Sequence, residues 1–177
     1  MKTILETERL VLREFAVADV DALFAIIGDA GTMRFYRRPF TRDETQQWIA
    51  PNRQRYRETG HGLWAVTLKS SDQFVGDCGL VTQDVDGEKL VEIAYHVHRD
   101  HWNQGYATEA ARACMRYGFE TLEISKLISL IRPENTASRR VAEKNGLRIV
   151  RQTIRVGWTH DVWAITREEW MSSPQQF

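Results

Sequence analysis

Cysteine is scarce in this chain, because Cys78 and Cys114 are the only two among 177 residues. They do not form a C-x-x-C motif, so neither a disulfide framework nor a cysteine-based zinc site is predicted. We expect both to be buried thiols of a protein that works in a reducing compartment.

Long apolar runs are also missing. No segment approaches the roughly 18 apolar residues that a membrane-spanning helix requires. The N-terminal stretch MKTILETERLVLREF carries charges throughout and lacks the apolar core of a signal peptide. We therefore expect a cytoplasmic protein that does not associate with a membrane.

The chain has no net charge, since 24 Lys and Arg residues balance 24 Asp and Glu residues. Broad nucleic-acid binding needs a basic surface, so no nucleic-acid partner is predicted. A hydrophobic fraction of 42% suits a globular protein with a full core.

Hydrophobic periodicity and turn signals predict one α/β domain of the α+β type over residues 1–177, with about seven strands in a mostly antiparallel sheet and about four helices. The strands are expected at 8–15, 62–69, 74–83, 90–98, 126–132, 147–156 and 161–170. The helices are expected at 17–29, 41–59, 106–122 and 135–146. A capping box at Thr41 and Glu44, an N-cap at Asn135 and a stop at Gly146 support the helix ends. Asp86-Gly87 is typical of a hairpin turn, and residues 157–160 are expected to form the last turn.

The stretch HRDHWNQGYATEAARA, residues 98–113, leads from a strand through a turn at Gly105 into a helix. The first amides of a helix have no internal partner and the helix dipole adds positive charge, so this turn can hold an anion. Neither the P-loop pattern nor the G-x-G-x-x-G pattern is present. The alternative is an ordinary connection in which the glycine serves only the geometry.

The strand before the turn places Glu92, Ala94, His96 and His98 on one face. The two histidines lack a third ligand at a recognisable spacing, so no metal site is predicted. Glu92 is a carboxylate on a central strand, which is costly to bury without a partner or a function. It is either a paired structural residue or a general base for an amine.

Three segments together resemble the GNAT N-acetyltransferase superfamily, and within it the RimJ/RimL-like branch. They are RDHWNQGYATEAARACMRYGFETL, ISLIRPENTASRRVAEKNGLR and the N-terminal TERLVLREF, with VGDCGL at 75–80 in addition. The resemblance runs through nearly the whole chain in order, and it implies a GNAT-like sheet and an acetyl-CoA-dependent activity.

The resemblance also implies how acetyl-CoA is bound. The diphosphate would lie on the turn amides of Asn103, Gln104, Gly105, Tyr106, Ala107 and Thr108. The acetyl and pantetheine groups would pair with the main chain of Val97, His98 and Arg99. Asn135, besides its role as an N-cap, would contact the pantetheine arm. Ser138, from its place on the same helix, is either a cofactor-binding residue that orients or protonates the thiolate or a solvated helix serine. With Glu92, Asn135 and Ser138 are the candidate catalytic residues.

Three positions depart from the superfamily pattern. Trp102 stands where Arg or Gln is frequent, which we interpret as a marker of the RimJ/RimL-like branch. Asn103 stands where glycine is frequent. Ala142 replaces the tyrosine that protonates the leaving CoA thiolate in many relatives, so Ser138, on the same helix face, or water is left for that proton.

The resemblance predicts direct attack of a primary amine on the thioester, without an acyl-enzyme. A lysine amine is neutral in only about one part in a thousand near pH ~7.4, whereas an α-amine is roughly a quarter neutral. We expect a protein or peptide N-terminal amine as acceptor. The connection between the first two helices would form one acceptor wall, with Phe35, Tyr36 and Phe40 lining a groove and Arg37 and Arg38 attracting an acidic acceptor. The alternative for this segment is exposed charges beside a small aromatic cluster. The alternatives are a small-molecule amine acceptor or a non-catalytic acyl-CoA-binding module, and the protein is expected as a monomer or homodimer.

Overall fold

The computed structural model describes residues 2–173 and contains one mixed sheet of eight strands. The spatial order is β1-β2-β3-β4-β5-β6-β8-β7, and all neighbours are antiparallel except β5 and β6. The strands are β1 Thr3–Glu6, β2 Leu10–Arg13, β3 Leu63–Leu68, β4 Phe74–Val85, β5 Glu88–Val97, β6 Lys126–Ile131, β7 Arg148–Arg155 and β8 Trp158–Thr166.

In the described part of the chain, five α-helices accompany the sheet: α1 Val20–Ile27, α2 Arg42–Glu58, α3 Tyr106–Arg116, α4 Thr136–Lys144 and α5 Arg167–Ser172. A 3₁₀ turn at 17–19 precedes α1, and a π-helical turn at 117–121 extends α3. Within residues 2–173, none of the helices combines the length and the apolarity needed to cross a bilayer.

The two faces of the sheet carry separate cores. One face packs against α1 and α2 through buried side chains such as Leu23, Ile27 and Ile49. The other face packs against α3, α4 and α5, with Phe119 and Met115 fully buried. The two faces differ in what they bring to the central strands. On one face α1 and α2 are joined by a long connection, and on the other α3 and α4 begin beside those strands.

The predicted helix and hairpin signals are confirmed. Thr41 and Glu44 form a reciprocal capping box at the start of α2. Gly146 ends the α4 region with a φ of 82°, which glycine adopts without a steric penalty. Asp86 and Gly87 have φ values of 56° and 85°, as a type I′ hairpin turn requires.

The C-terminal region differs from the prediction. The last strand ends at Thr166, and Thr166 and Glu169 form a second capping box that opens α5, where a continued strand was expected. The preceding turn lies at Val156-Gly157, not at 157–160, with φ values of 54° and 80°. A valine at positive φ is rare, because its branched side chain crowds the backbone there, so the sequence gives no signal for it.

Candidate active site

A gap between β5 and β6 forms the centre of the candidate site. The two strands pair only at Val91 with Leu127 and at Glu92 with Ile128, although β5 continues to Val97 and β6 to Ile131. Along its other side β5 remains paired with β4 throughout. The central sheet therefore opens into a V from Glu92 onward.

The main chain of β5 presents hydrogen-bonding groups to this gap. The amide of His98 donates to the Val75 carbonyl of the β4 chain at 2.9 Å. Because main-chain groups alternate along a strand, those of Ile93, Tyr95 and Val97 face the opposite way, into the gap. Ser129 Oγ donates to the Ile93 carbonyl at 3.1 Å. The main-chain amide and carbonyl of Tyr95 both face the gap, where no described strand pairs with them.

Of the three residues predicted to pair with the pantetheine arm, only Val97 faces the gap. Its amide does so, while its carbonyl accepts from Trp102 Nε1 at 2.8 Å. The His98 amide donates to the Val75 carbonyl, and the His98 carbonyl accepts from the His101 amide. The carbonyl of Arg99 accepts from the Trp102 amide at 3.2 Å. The gap geometry thus adds Tyr95 to the candidates, which sequence reasoning missed.

Glu92 sits at the apex of the V. Its Oε1 accepts from the Leu130 amide at 3.2 Å and its Oε2 accepts from Gln83 Nε2 at 2.7 Å. The Gln83 oxygen in turn accepts from Arg155. Burial raises the pKa of Glu92, more than these hydrogen bonds lower it. The carboxylate bridges β4, β5 and β6 at the point where the strands part.

The turn before α3 carries a row of free amides. The first helical bond runs from the Glu109 amide to the Gly105 carbonyl, and within residues 2–173 no hydrogen bond uses the amides of residues 103–108. Asn103 and Gly105 have φ values of 60° and 84°. Asparagine tolerates this left-handed region, which accounts for Asn103 at a position where glycine is frequent. Such amides at a helix N-terminus fit a diphosphate.

Arg9, which sequence reasoning did not select, supports this turn from the β1–β2 loop. Its Nη1 donates to the Gln104 carbonyl at 3.0 Å, and its guanidinium lies 4.6 Å from the centre of the Tyr106 ring. Its Nε donates to Glu109 at 2.7 Å, and Thr7 donates to the same carboxylate at 2.6 Å. Burial raises the pKa of Glu109, but these hydrogen bonds outweigh burial and hold it below its usual value.

The N-terminus of α4 lies across the gap from Tyr95. Asn135 Oδ1 accepts from the Ser138 amide at 3.1 Å, which confirms the predicted N-cap. The Tyr95 hydroxyl donates to the Ser138 carbonyl at 3.2 Å. Ala142 is buried in the core behind them. The structure therefore brings Asn135 and Ser138 to the edge of the gap, and Ala142 offers no proton donor.

A second polar cluster lies on the face of β5 that carries Glu92. Asp77 of β4 stands directly opposite His96 of β5, and its Oδ1 is 2.8 Å from His96 Nδ1. His96 Nε2 is 2.8 Å from the hydroxyl of Tyr36 in the α1–α2 connection. His98, the other half of the H-x-H pair, lies beyond the strand and accepts from the Asp100 amide. Sequence reasoning placed Tyr36 and His96 near the site but missed their contact.

The α1–α2 connection meets the β7–β8 hairpin above this face. Arg37 Nη2 donates to the Val156 carbonyl at 3.4 Å. Arg38 is neutralised by a two-pronged ion pair with Glu44, at 2.5 and 2.8 Å. The two neighbouring arginines that were expected to face an acceptor are therefore not equivalent, because Arg38 is paired with a carboxylate whereas Arg37 donates only to a carbonyl oxygen among the described residues.

The aromatic residues of this wall also separate. Phe40 packs edge-on against Trp48 at 5.2 Å between ring centres, as part of the core beneath α2. Phe35 lies under the guanidinium of Arg34. Tyr36 is the member whose polar atom turns inward to the sheet, while 45% of the residue is exposed.

Comparison with known proteins identifies what this arrangement is similar to. Residues 9–148 match the family described as "Acetyltransferase (GNAT) domain". The "Uncharacterized protein YkkB" of Bacillus subtilis is 39% identical over 82% of this chain and 86% of its own length. The "Uncharacterized N-acetyltransferase YnaD" of the same organism is 30% identical over 93% and 97%. A GNAT-family acetyltransferase structure from Bacillus anthracis superposes with a TM-score of 0.81, at 30% identity, covering 93% of this chain and 99% of that one.

Proposed function

Because this chain belongs to the GNAT acetyltransferase family and acts as an acetyl-CoA-dependent N-acetyltransferase, we propose that its acceptor is the N-terminal amine of a protein or peptide. The observation that carries the proposal is the junction where the α1–α2 connection meets the β7–β8 hairpin, which we take as the acceptor entrance. Arg37 and Arg155 lie there, and both donate to neutral oxygens, those of Val156 and Gln83.

These two guanidinium groups have no ion pair with an acidic residue in the described part of the chain. The charge of Arg37 is therefore available to an acidic acceptor, whereas the charge of Arg155 also acts on the buried Glu92 carboxylate. An acidic peptide following a free α-amine fits this entrance. An α-amine also demands less of the enzyme than a lysine amine, because a larger share of it is already neutral near pH 7.

The donor side is proposed from the geometry of the gap and the turn. The free amides of residues 103–108 hold the diphosphate, and the Tyr95 and Val97 main chain pairs with the pantetheine arm. Asn135 and Ser138 flank that arm at the opposite wall of the gap. Acetyl-CoA supplies the acetyl thioester, and the protein supplies its alignment with the amine, an effect that lowers the barrier by removing orientational freedom beforehand.

The leaving thiolate needs little help from the protein. An alkyl thiol has a pKa of about 8.5, so its anion is a stable leaving group near neutral pH. Ser138 is the nearest proposed hydroxyl on α4, and it acts by orienting the sulfur. Ala142 does not contribute.

An acceptor panel tests the proposal. Acetyl transfer is measured by mass spectrometry on a hexapeptide that begins with serine and two glutamates, on its counterpart with two glutamines, and on a blocked acidic peptide with one lysine. Spermidine and kanamycin represent small amines. We expect the free acidic peptide to be acetylated at its α-amine with the lowest KM.

Two neighbouring arginines provide the matched variants. We expect Arg37→Gln to raise the KM for the acidic peptide by about two- to fivefold, as for loss of one exposed charge pair. The double variant Arg38→Gln/Glu44→Gln removes a neighbouring ion pair without changing the net charge, so the KM stays as in the wild type. Transfer to spermidine or kanamycin alone would contradict the proposal, and acetyl-CoA binding without any transfer would show a non-catalytic acyl-CoA-binding module.

A further inference from the structure

Asp77, His96 and Tyr36 form a chain of hydrogen bonds from the core of the sheet to the surface. The side chains of His96 and Asp77 are 7% and 0% exposed. Asp77 Oδ1 also accepts from the His96 amide at 3.0 Å. Its Oδ2 is buried and has no partner among the described residues. Such a buried carboxylate is costly unless the charge it carries is used.

The chemistry of the pair assigns the protons. An ionised carboxylate only accepts hydrogen bonds, so His96 Nδ1 carries the hydrogen in the Asp77 contact. The lone pair of the neutral imidazole is then on Nε2. The Tyr36 hydroxyl donates to that lone pair across 2.8 Å. Tyr36 lies in the exposed α1–α2 connection, so its oxygen joins the buried imidazole to the acceptor side of the site.

Glu92, the other candidate for the same task, is engaged differently. Both of its oxygens accept hydrogen bonds, one from the Leu130 amide and one from Gln83, and these bonds hold three strands together. No chain of bonds links Glu92 to an exposed residue of the α1–α2 connection in the described structure. His96 has such a link, and imidazole is the side chain whose pKa lies nearest to neutral pH.

We propose that His96 is the proton acceptor for the acceptor amine, that the Tyr36 hydroxyl relays the proton, and that Asp77 orients the imidazole. This inference rests on the proposed function. The lone pair of the neutral amine forms the bond to the acetyl carbon, and the carbon–sulfur bond breaks with its electron pair leaving on sulfur. As the new bond forms, one amine proton moves to the Tyr36 oxygen while the Tyr36 proton moves to His96 Nε2, so that the products are the amide, the CoA thiolate and the imidazolium. Asp77 stabilises the resulting imidazolium.

The charges around His96 set the pH at which it works. Burial lowers the pKa of His96, but the charge and hydrogen bond of Asp77 and the charge of Glu92 outweigh it and raise the pKa above its usual value. The neutral imidazole is the working form, so activity rises as the pH rises through this raised pKa. Although the Tyr36 residue is partly exposed, its hydroxyl is turned inward to His96, and burial there raises the pKa of the phenol, which stays protonated, as a relay must.

The test compares pH profiles of kcat/KM between pH 5.5 and 9, with the acidic hexapeptide as the acceptor. Ionisation of the acceptor α-amine adds its own rise of kcat/KM near pH ~8 in every variant. The rise that is due to His96, called here the His96 limb, is therefore identified from the differences between variants. We expect His96→Gln and Tyr36→Phe to lower kcat/KM by about a hundredfold, the low end for general acid–base catalysis. The His96 limb disappears in both.

Three further variants distinguish a proton relay through His96 from a purely structural role of the cluster. Asp77→Asn moves the His96 limb to lower pH, because the imidazolium loses its partner. Glu92→Gln keeps the limb but moves it to lower pH, because the charge of Glu92 also raises the pKa of His96. His61→Gln is the matched control, since His61 is a buried histidine bound to the Leu80 carbonyl, away from the cluster, and it also keeps the limb. The Kd of acetyl-CoA stays within threefold in all five variants, which reports on the fold.

The outcomes are distinct. A wild-type protein that acetylates no amine of the panel refutes the proposed function, and the relay with it. An active wild type whose His96→Gln variant keeps the limb refutes the relay alone. If His96→Gln no longer binds acetyl-CoA, Tyr36→Phe decides, because Tyr36 is surface-exposed and its substitution removes one oxygen: a rate within threefold of the wild type overturns the proposal.

Discussion

A single methyl group added at Gly105 tests the proposed diphosphate site. Gly105 has a φ of 84°, and a Cβ there would lie 3.4 Å from Arg9 Nη2, so space is adequate and backbone strain is the main effect. Gly87 provides the matched control. Its φ is 85°, and a Cβ there would have no neighbour within 4 Å.

The expected magnitudes follow from this geometry. A non-glycine residue in the left-handed region costs roughly 1–2 kcal/mol, so Gly105→Ala and Gly87→Ala should lower the free energy of unfolding by similar amounts. In Gly105→Ala the turn relieves the strain by rotating its amides. The loss of one hydrogen bond to a charged group is worth about 1.5–3 kcal/mol. At about 1.4 kcal/mol per factor of ten, the Kd for acetyl-CoA should rise roughly tenfold to a hundredfold.

Calorimetric titration with acetyl-CoA and with dephospho-CoA measures this Kd, and urea denaturation measures the free energy of unfolding. Both ligands contain the diphosphate, so Gly105→Ala should weaken both by the same factor. Gly87→Ala should leave both affinities unchanged. A Gly105→Ala affinity within twofold of that of Gly87→Ala would show that the turn amides do not hold the diphosphate.

The remaining predictions concern stability and the cysteines. Glu109→Gln should lower the urea midpoint at pH 7, because Thr7 and Arg9 hold the pKa of Glu109 below its usual value; that stabilisation is present above the unfolded pKa and is lost as the pH falls through the folded one. The difference between variant and wild type should therefore shrink as the pH falls below about 4.5, and a difference as large at pH 3 as at pH 7 would contradict the ion-pair explanation. The Cys78→Ala/Cys114→Ala double variant should keep its kcat, because burial raises the pKa of Cys78 and leaves it a poor nucleophile. An acetylated cysteine found by mass spectrometry would refute direct transfer.

The contact between Asp77 and His96 can be predicted from the sequence by counting residues back from the hairpin turn. The Asp86-Gly87 signal predicts a two-residue hairpin, and such a turn fixes the register of its strands. Counting back from the turn places Asp77 opposite His96, as the structure shows. The Asp77–His96 contact was therefore within reach of sequence reasoning, and only the step from the turn to the register was missing.

Other contacts depend on tertiary packing. Tyr36 reaches His96 only because α1 and α2 bury their apolar faces and carry the connection over the sheet. Arg9 reaches Gln104 across 95 positions of sequence. No local pattern encodes such distances, since they are set by how the layers stack.

The strand predicted at 161–170 was wrong after Thr166 for a different reason. The residues after Thr166 contain a capping box with Glu169, the same signal that correctly predicted the start of α2. Tryptophan and alternating polarity favoured a strand, and the cap was overlooked. The helix signal was stronger, because it satisfies two orphan amides at once.

The V between β5 and β6 leaves the sheet with an edge in its interior as well as two at its rims. Exposed strand edges invite pairing with other chains, and here Ser129 and the Glu92 carboxylate occupy some of the unpaired groups from within. A ligand that completes this edge binds the folded protein and not the unfolded one. At a concentration of a hundred times its Kd it would add about 2.7 kcal/mol to the stability. The abundance of acetyl-CoA would thus help to determine what fraction of this enzyme is folded.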